Sequence, residues 1–172
     1  MAPAAAPPHQ YLIALGSNVR HARHGAPAQV LRAAARALDD AGLAVRALSP
    51  IIASAPLGPS RRRYANACAV ITTPLEPAQL LARLQGLEHR FGRVRRGAPW
   101  RARTLDLDIV LWSGGALADI HANLVIPHPA CRQRPFVMGP AMRIAPDWRD
   151  PLTGLATKHL ASRLTRRRPA PR

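Results

Sequence analysis

Two aspartates, Asp106 and Asp108, stand one residue apart in RTLDLDIVLW (103–112). On an extended strand, residues i and i+2 point to the same face. Both carboxylates therefore share one side, with Leu105, Leu107 and Ile109 on the other. Like charges held that close repel unless a cation lies between them. Acids are scarce here: the chain has 9 Asp and Glu against 25 Lys and Arg, a formal net charge of +16. Two neutralisers suit the pair. One is the run Arg93, Arg95, Arg96, Arg101 and Arg103 that precedes it. The other is Mg²⁺, which takes one or two carboxylates together with substrate phosphates and water. Two such ions about 3.5–4 Å apart would be bracketed by carboxylates at this spacing. DxD alone is short and equally describes surface salt bridges. The arginines favour a triphosphate, because guanidinium gives phosphate bidentate donors and stays charged. It also stabilises a phosphoryl group in transfer. The chain has no GxxxxGK[ST], so side chains and metal, rather than a P-loop, would hold the phosphates.

An α/β frame positions these residues. YLIAL (11–15) reads as a strand ending at Gly16-Ser17-Asn18. A helix follows from Pro27, with Gly42 as its C′ residue. LAVRALSPIIASAP (43–56) reads as an extended strand, PLGPS as a turn, and YANACAVITT (64–73) as a strand. Pro77 opens a second helix that runs to Gly92. After the charged loop RVRRGAPWRAR comes the aspartate strand, then a hairpin opened by SGG and helices near 135–142 and 155–164. The order predicts a ferredoxin-like β-α-β-β-α-β sheet with an added hairpin and C-terminal helices. Residues 1–10 read as a disordered lead-in, 11–165 as a single domain and 166–172 as a basic tail.

The 172 residues suit one domain with a real core. No apolar run approaches the roughly 20 residues that span a bilayer, and MAPAAAPPHQ is not of signal-peptide type. The expectation is a cytoplasmic monomer without membrane partners. Cys68 and Cys131 form no CxxC and read as small buried hydrophobes. Lys158 is the only lysine. Such arginine bias accords with genomic base composition, so the charge points to anionic small molecules and no specific nucleic acid is expected.

GRVRRGAPWRARTLDLDIVL and IPHPACRQRPFVMGP, with ALGSN (14–18), PLGP (56–59), YANA (64–67) and LLARLQGLEHRFGR (80–93), together resemble the 6-hydroxymethyl-7,8-dihydropterin pyrophosphokinase family of folate biosynthesis. The resemblance implies transfer of pyrophosphate from ATP to the pterin hydroxymethyl group, with release of AMP. It implies that Asp106 and Asp108 hold two Mg²⁺ ions and that Arg93 and Arg103 engage the phosphates and assist transfer. ATP contacts would include Gln85, Glu88, Arg95, Ile109, His128 and Arg134. The pterin would lie among Leu57, Tyr64, Asn66, Trp100 and Phe136, beside Ser54 and Ala55, which stand where the family often has Thr-Pro. SRRR (60–63) is shorter and more basic than the family's usual loop. The residues themselves agree: a flat heterocycle suits aromatic faces and a few fixed polar groups. Taken singly, His128 also suits a capped core histidine, Phe136 a core residue, and Gln85 with Glu88 a solvated helix face. Two alternative functions are a basic nucleic-acid module on a ferredoxin-like sheet and another DxD-dependent nucleotidyl or glycosyl transferase. The first needs stacking aromatics on an open sheet face, yet aromatics are only 4% of the chain. The second leaves Tyr64, Asn66 and Trp100 without a role.

Overall fold

The two long helices start from the same tripeptide, Pro-Ala-Gln. Helix α1 covers Pro27–Asp40 and α2 covers Pro77–Arg90. In each, proline takes the first turn, where its missing N–H costs nothing. The glutamine then turns back to cap the chain: Gln29 Oε1 accepts from the Ala26 N–H at 2.7 Å, and Gln79 Oε1 from the Glu76 N–H at 3.0 Å. Each helix ends beside a glycine with positive φ, Gly42 at 77° and Gly92 at 78°.

The computed structural model describes residues 8–55, 62–93 and 103–166. Its strands are β1 (His9–Ser17), β2 (Ala44–Leu48), β3 (Ile52–Ser54), β4 (Tyr64–Thr73), β5 (Asp106–Trp112), β6 (Leu117–Asp119) and β7 (Leu124–Ile126); α3 is Pro135–Ile144 and α4 Thr157–Thr165. The main sheet runs β2-β4-β1-β5, with β3 continuing the β4 edge beyond β2. All its pairings are antiparallel, which is the expected ferredoxin-like arrangement. β6 and β7 form a separate two-stranded hairpin, and α3 and α4 follow as expected. Among the described residues, no helix is long and apolar enough to cross a membrane.

Two expectations about elements change. β1 starts at His9, inside the expected lead-in, because the ten-residue β4 offers partners up to Thr73. The expected single strand over 43–56 is two strands. Pro50 has no N–H for the ladder, and the buried Ser49 bridges the break, its Oγ accepting from the Cys68 N–H at 2.9 Å. Residues 1–7, 56–61, 94–102 and 167–172 lie outside the described residues, and with them most of the lead-in and tail, the PLGP turn, Leu57, Arg95 and Trp100.

The sheet faces differ in cover. On one, Ile13, Leu15, Ala67, Ile71, Leu107 and Ile109 pack with Leu31, Leu38, Leu80 and Leu84 of α1 and α2. Each fully buried Leu or Ile side chain there contributes about 1.5–3 kcal/mol. On the other, α3 and α4 bury Leu12, Cys68, Val110 and Leu111, with Ala14 and Val70 packed at the margin. Both cysteines are buried and unbridged in that cluster. Among the described residues no helix covers the rest of this face, and β5 reaches it with Asp106 and Asp108.

Candidate active site

Strand register assembles the open half-face. Gly16 of β1 pairs with Asn66 of β4 on one side and with Asp106 of β5 on the other. Ala14 likewise lies between Cys68 and Asp108. Small residues in the central strand leave space between the polar ones. A Cβ at Gly16 would lie 3.7 Å from Asn66 Oδ1 and 3.9 Å from the Asp106 Cβ. Above this floor is a cavity of about 290 Å³. Its walls are Ser54 and Ala55 at the end of β3, Tyr64 and Asn66 of β4, Arg103, Asp106 and Asp108 at β5, and Arg134, Phe136 and Val137 at the start of α3.

One end of the cavity is ionic. Asp106 accepts from Arg93 Nη1 through Oδ1, and from Arg103 Nη1 through Oδ2 at 2.6 Å. Asp108 is held more loosely: His128 Nε2 and Arg134 Nη1 are each 3.9 Å from its Oδ2. Burial, then the neighbouring Asp106, push the Asp108 carboxyl above its ordinary range, against the pull of His128, Arg134 and Arg103. Burial pushes the His128 imidazole down, with Asp108 opposing. His128 Nδ1 accepts from the Ala130 N–H at 3.2 Å, so the neutral ring carries its proton on Nε2, toward Asp108. The other end is suited to a flat ring. Tyr64 and Asn66 share a face of β4, and Arg134 lies 5.9 Å over the Phe136 ring. Asn66 Nδ2 donates to Ser54 Oγ at 2.7 Å, which turns Oδ1 toward Gly16 and the cavity.

Nine of the expected site residues therefore meet in one cavity: Ser54, Ala55, Tyr64, Asn66, Arg103, Asp106, Asp108, Arg134 and Phe136. Arg93 joins through Asp106, and His128 stands beside Asp108. Three expected ATP contacts, Gln85, Glu88 and Ile109, are not among the residues lining this cavity. The Ile109 side chain is buried in the core, on the strand face opposite the aspartates. Gln85 lies half-buried on α2 and does not line the cavity. Glu88 is only 2% exposed; its Oε1 accepts from the Leu107 N–H at 2.8 Å and from Arg93 Nη1. It fixes the start of β5 and the guanidinium of Arg93. Sequence reasoning missed the floor residues Ala14 and Gly16, although small residues in ALGSN signalled close approach at the end of β1.

The donor set fits a hard cation. Asp106 and Asp108 offer only oxygen, on one face, at the edge of a cavity with room for phosphate. Among the described residues, no three His, Cys, Asp or Glu converge as a protein-only metal cage. Two carboxylates completed by phosphate and water is the coordination Mg²⁺ prefers.

Residues 12–146 match the model of the 7,8-dihydro-6-hydroxymethylpterin-pyrophosphokinase family. The chain is 41% identical over 140 residues to a 2-amino-4-hydroxy-6-hydroxymethyldihydropteridine pyrophosphokinase of Pseudomonas aeruginosa, covering 81% of this chain and 82% of that one. A protein of the same name from Synechocystis is 41% identical over 114 residues, which is 66% of this chain and 57% of that relative's length. Among solved structures, Plasmodium falciparum HPPK-DHPS shares the fold with a TM-score of 0.69 at 11% identity, covering 91% of this chain and 41% of that one. These relatives give no support to a nucleic-acid module or to another DxD transferase.

Proposed function

The chain belongs to the 7,8-dihydro-6-hydroxymethylpterin-pyrophosphokinase family, and from that premise we propose that it transfers pyrophosphate from ATP to 6-hydroxymethyl-7,8-dihydropterin. The single observation that carries the proposal is the two-ended cavity. Tyr64, Asn66 and Phe136 line it together with Arg103, Asp106 and Asp108, so a heterocycle and a triphosphate would meet inside it.

Each end has its own task. Tyr64 and Phe136 offer ring faces to the pterin, and Asn66, its amide oriented by Ser54, accepts from a pterin N–H. The pterin hydroxymethyl oxygen attacks the β-phosphorus and loses its proton to solvent, the bond from the α-phosphoryl oxygen to the β-phosphorus breaks, and AMP leaves. Holding both reactants in one cavity makes the encounter effectively unimolecular. Arg93 and Arg103 neutralise charge on the transferring group. Both now hold Asp106; arriving phosphates compete for the same guanidinium donors and would draw them off the carboxylate. Asp106 and Asp108 are the residues to hold Mg²⁺, two ions in this reading, whose chemistry is to neutralise and orient the triphosphate. Leu57, Trp100 and Arg95 complete the proposed substrate contacts. The proposal includes a monomer working in the cytoplasm without a nucleic-acid partner.

Calorimetric titration separates the two ends. Asn66→Ala should weaken pterin binding and spare a nonhydrolysable ATP analogue with Mg²⁺, and Asp108→Asn should do the reverse. The opposite pattern would show that the ends are misassigned.

A further inference from the structure

We propose that Asn18 is a positioning residue that sets Arg103 for the phosphates. The proposal rests on the role given to Arg103 above. β1 pairs with β5 only as far as Gly16 and Asp106. Two residues on, the chains are tied again by a different device. The Asn18 N–H donates to the Arg103 carbonyl at 3.1 Å, and the Arg103 N–H donates to Asn18 Oδ1 at 2.8 Å. A side-chain oxygen thus replaces the missing strand carbonyl and fixes both peptide groups of Arg103, hence the direction in which its side chain leaves the backbone.

That matters because Arg103 is otherwise lightly held. Its side chain is 38% exposed, and the guanidinium reaches Asp106 at 2.6 Å. When phosphate competes for that guanidinium, the contact at the tip is lost and the clamp at the backbone remains. A long arginine chain has much rotamer freedom to lose, so a fixed origin limits what must be ordered in the transition state.

The amide itself carries a cost. Asn18 is 4% exposed, and its Nδ2 has no hydrogen-bond partner among the described residues. A buried donor left unpaired has lost its hydration with nothing in return. An apolar side chain of similar size would avoid that cost; what it would lose is the acceptor for Arg103. Plain strand-to-strand attachment does not need this amide, since the Asn18 backbone N–H already supplies one bond.

A double-mutant cycle tests the assignment. Asn18→Ala should lower kcat about tenfold, the effect of a misplaced group in the transition state, with KM for the pterin changed less than about twofold. In an Arg103→Ala background the same substitution should change kcat less than about twofold. Multiplying effects would overturn the proposal, because a purely structural loss does not depend on Arg103. Asn18→Asp, which keeps the oxygen, should recover part of the rate; Asn18→Leu, of similar size and without the acceptor, takes the place of Asn18→Ala in the cycle if the alanine variant does not fold. A second readout needs no turnover. In ¹⁵N–¹H spectra, the Arg103 guanidinium should give resolved Nη signals in the parent protein and averaged ones in the Asn18 variant, with the core amides unmoved. Unchanged Arg103 signals would overturn the positioning role. A parent protein with resolved Arg103 signals but no pterin-dependent AMP would overturn the function and leave the positioning intact.

Discussion

Asp106 and Asp108 have the same side chain and the same proposed ligand, yet replacing each with asparagine should move the unliganded protein in opposite directions. Asp106 holds Arg93 through one oxygen and Arg103 through the other, with its side chain 20% exposed. A hydrogen bond to a charged group contributes about 1.5–3 kcal/mol when buried, and screening at a partly exposed site lowers this toward about 1 kcal/mol. Asparagine keeps one acceptor, so Asp106→Asn should destabilise by about 1–2 kcal/mol. For a domain of this size that lowers Tm by about 2–8 °C. Among the described residues, Asp108 has no cation closer than 3.9 Å, and its side chain is 37% exposed. Its neutralisation removes repulsion and sacrifices no short contact, so Asp108→Asn should leave stability unchanged or raise it by about 0.5 kcal/mol. The sign can be checked with pH. The folded carboxyl of Asp108 is raised, so its ionisation destabilises the fold at neutral pH and its protonation removes that penalty. The advantage of Asp108→Asn should therefore vanish as pH falls below the ordinary range near about 4. Thermal unfolding in EDTA measures these shifts, and repeating it with Mg²⁺ and an ATP analogue should show ligand stabilisation lost in both variants. Equal destabilisation of the two unliganded variants would refute the asymmetry in their partners.

Gly16→Val should fold, because a Cβ there has ordinary contacts at 3.7 and 3.9 Å; the added methyls enter the cavity and should weaken pterin binding by about tenfold or more, read by titration. Arg93→Ala leaves the buried Glu88 without that partner and should lower both kcat and stability, the latter by about 2–3 kcal/mol. Adding Glu88→Gln should restore the stability and not the rate, in melts and turnover assays on the same samples. Asp150 is 1% exposed, with Arg132 on both oxygens at 2.5 and 2.8 Å. Burial acts to raise its pKa, but Arg132, the Leu152 N–H and the Thr153 hydroxyl hold it below the usual range. Its stabilisation should be present at neutral pH and lost as pH falls below about 4, and that acid-dependent loss should be smaller in Arg132→Ala.

Local chemistry was legible where one residue type decides an outcome. Pro27 and Pro77 marked helix starts, Gly42 and Gly92 marked the ends, and period-2 spacing put both aspartates on one face. What stayed hidden depends on elements meeting across the fold. Pro50 gave a visible reason for a strand break, but only the paired β4 shows Ser49 bridging it. Glu88 and Gln85, three apart on α2, looked alike; packing against β5 turns Glu88 inward to Leu107 and Arg93. Ile109, by contrast, was legible: the alternation that puts the aspartates on one face puts it on the other, in the core. Asn18 was visible within ALGSN, but its hydrogen bond spans 85 residues to Arg103 and has no local signature.

The central claim is tested most directly by the nucleotide product. Protein incubated with Mg²⁺, ATP and 6-hydroxymethyl-7,8-dihydropterin, with controls lacking each component, should form AMP only in the complete mixture, in step with a pterin diphosphate. ADP in place of AMP, or no pterin-dependent product from folded protein, would contradict it.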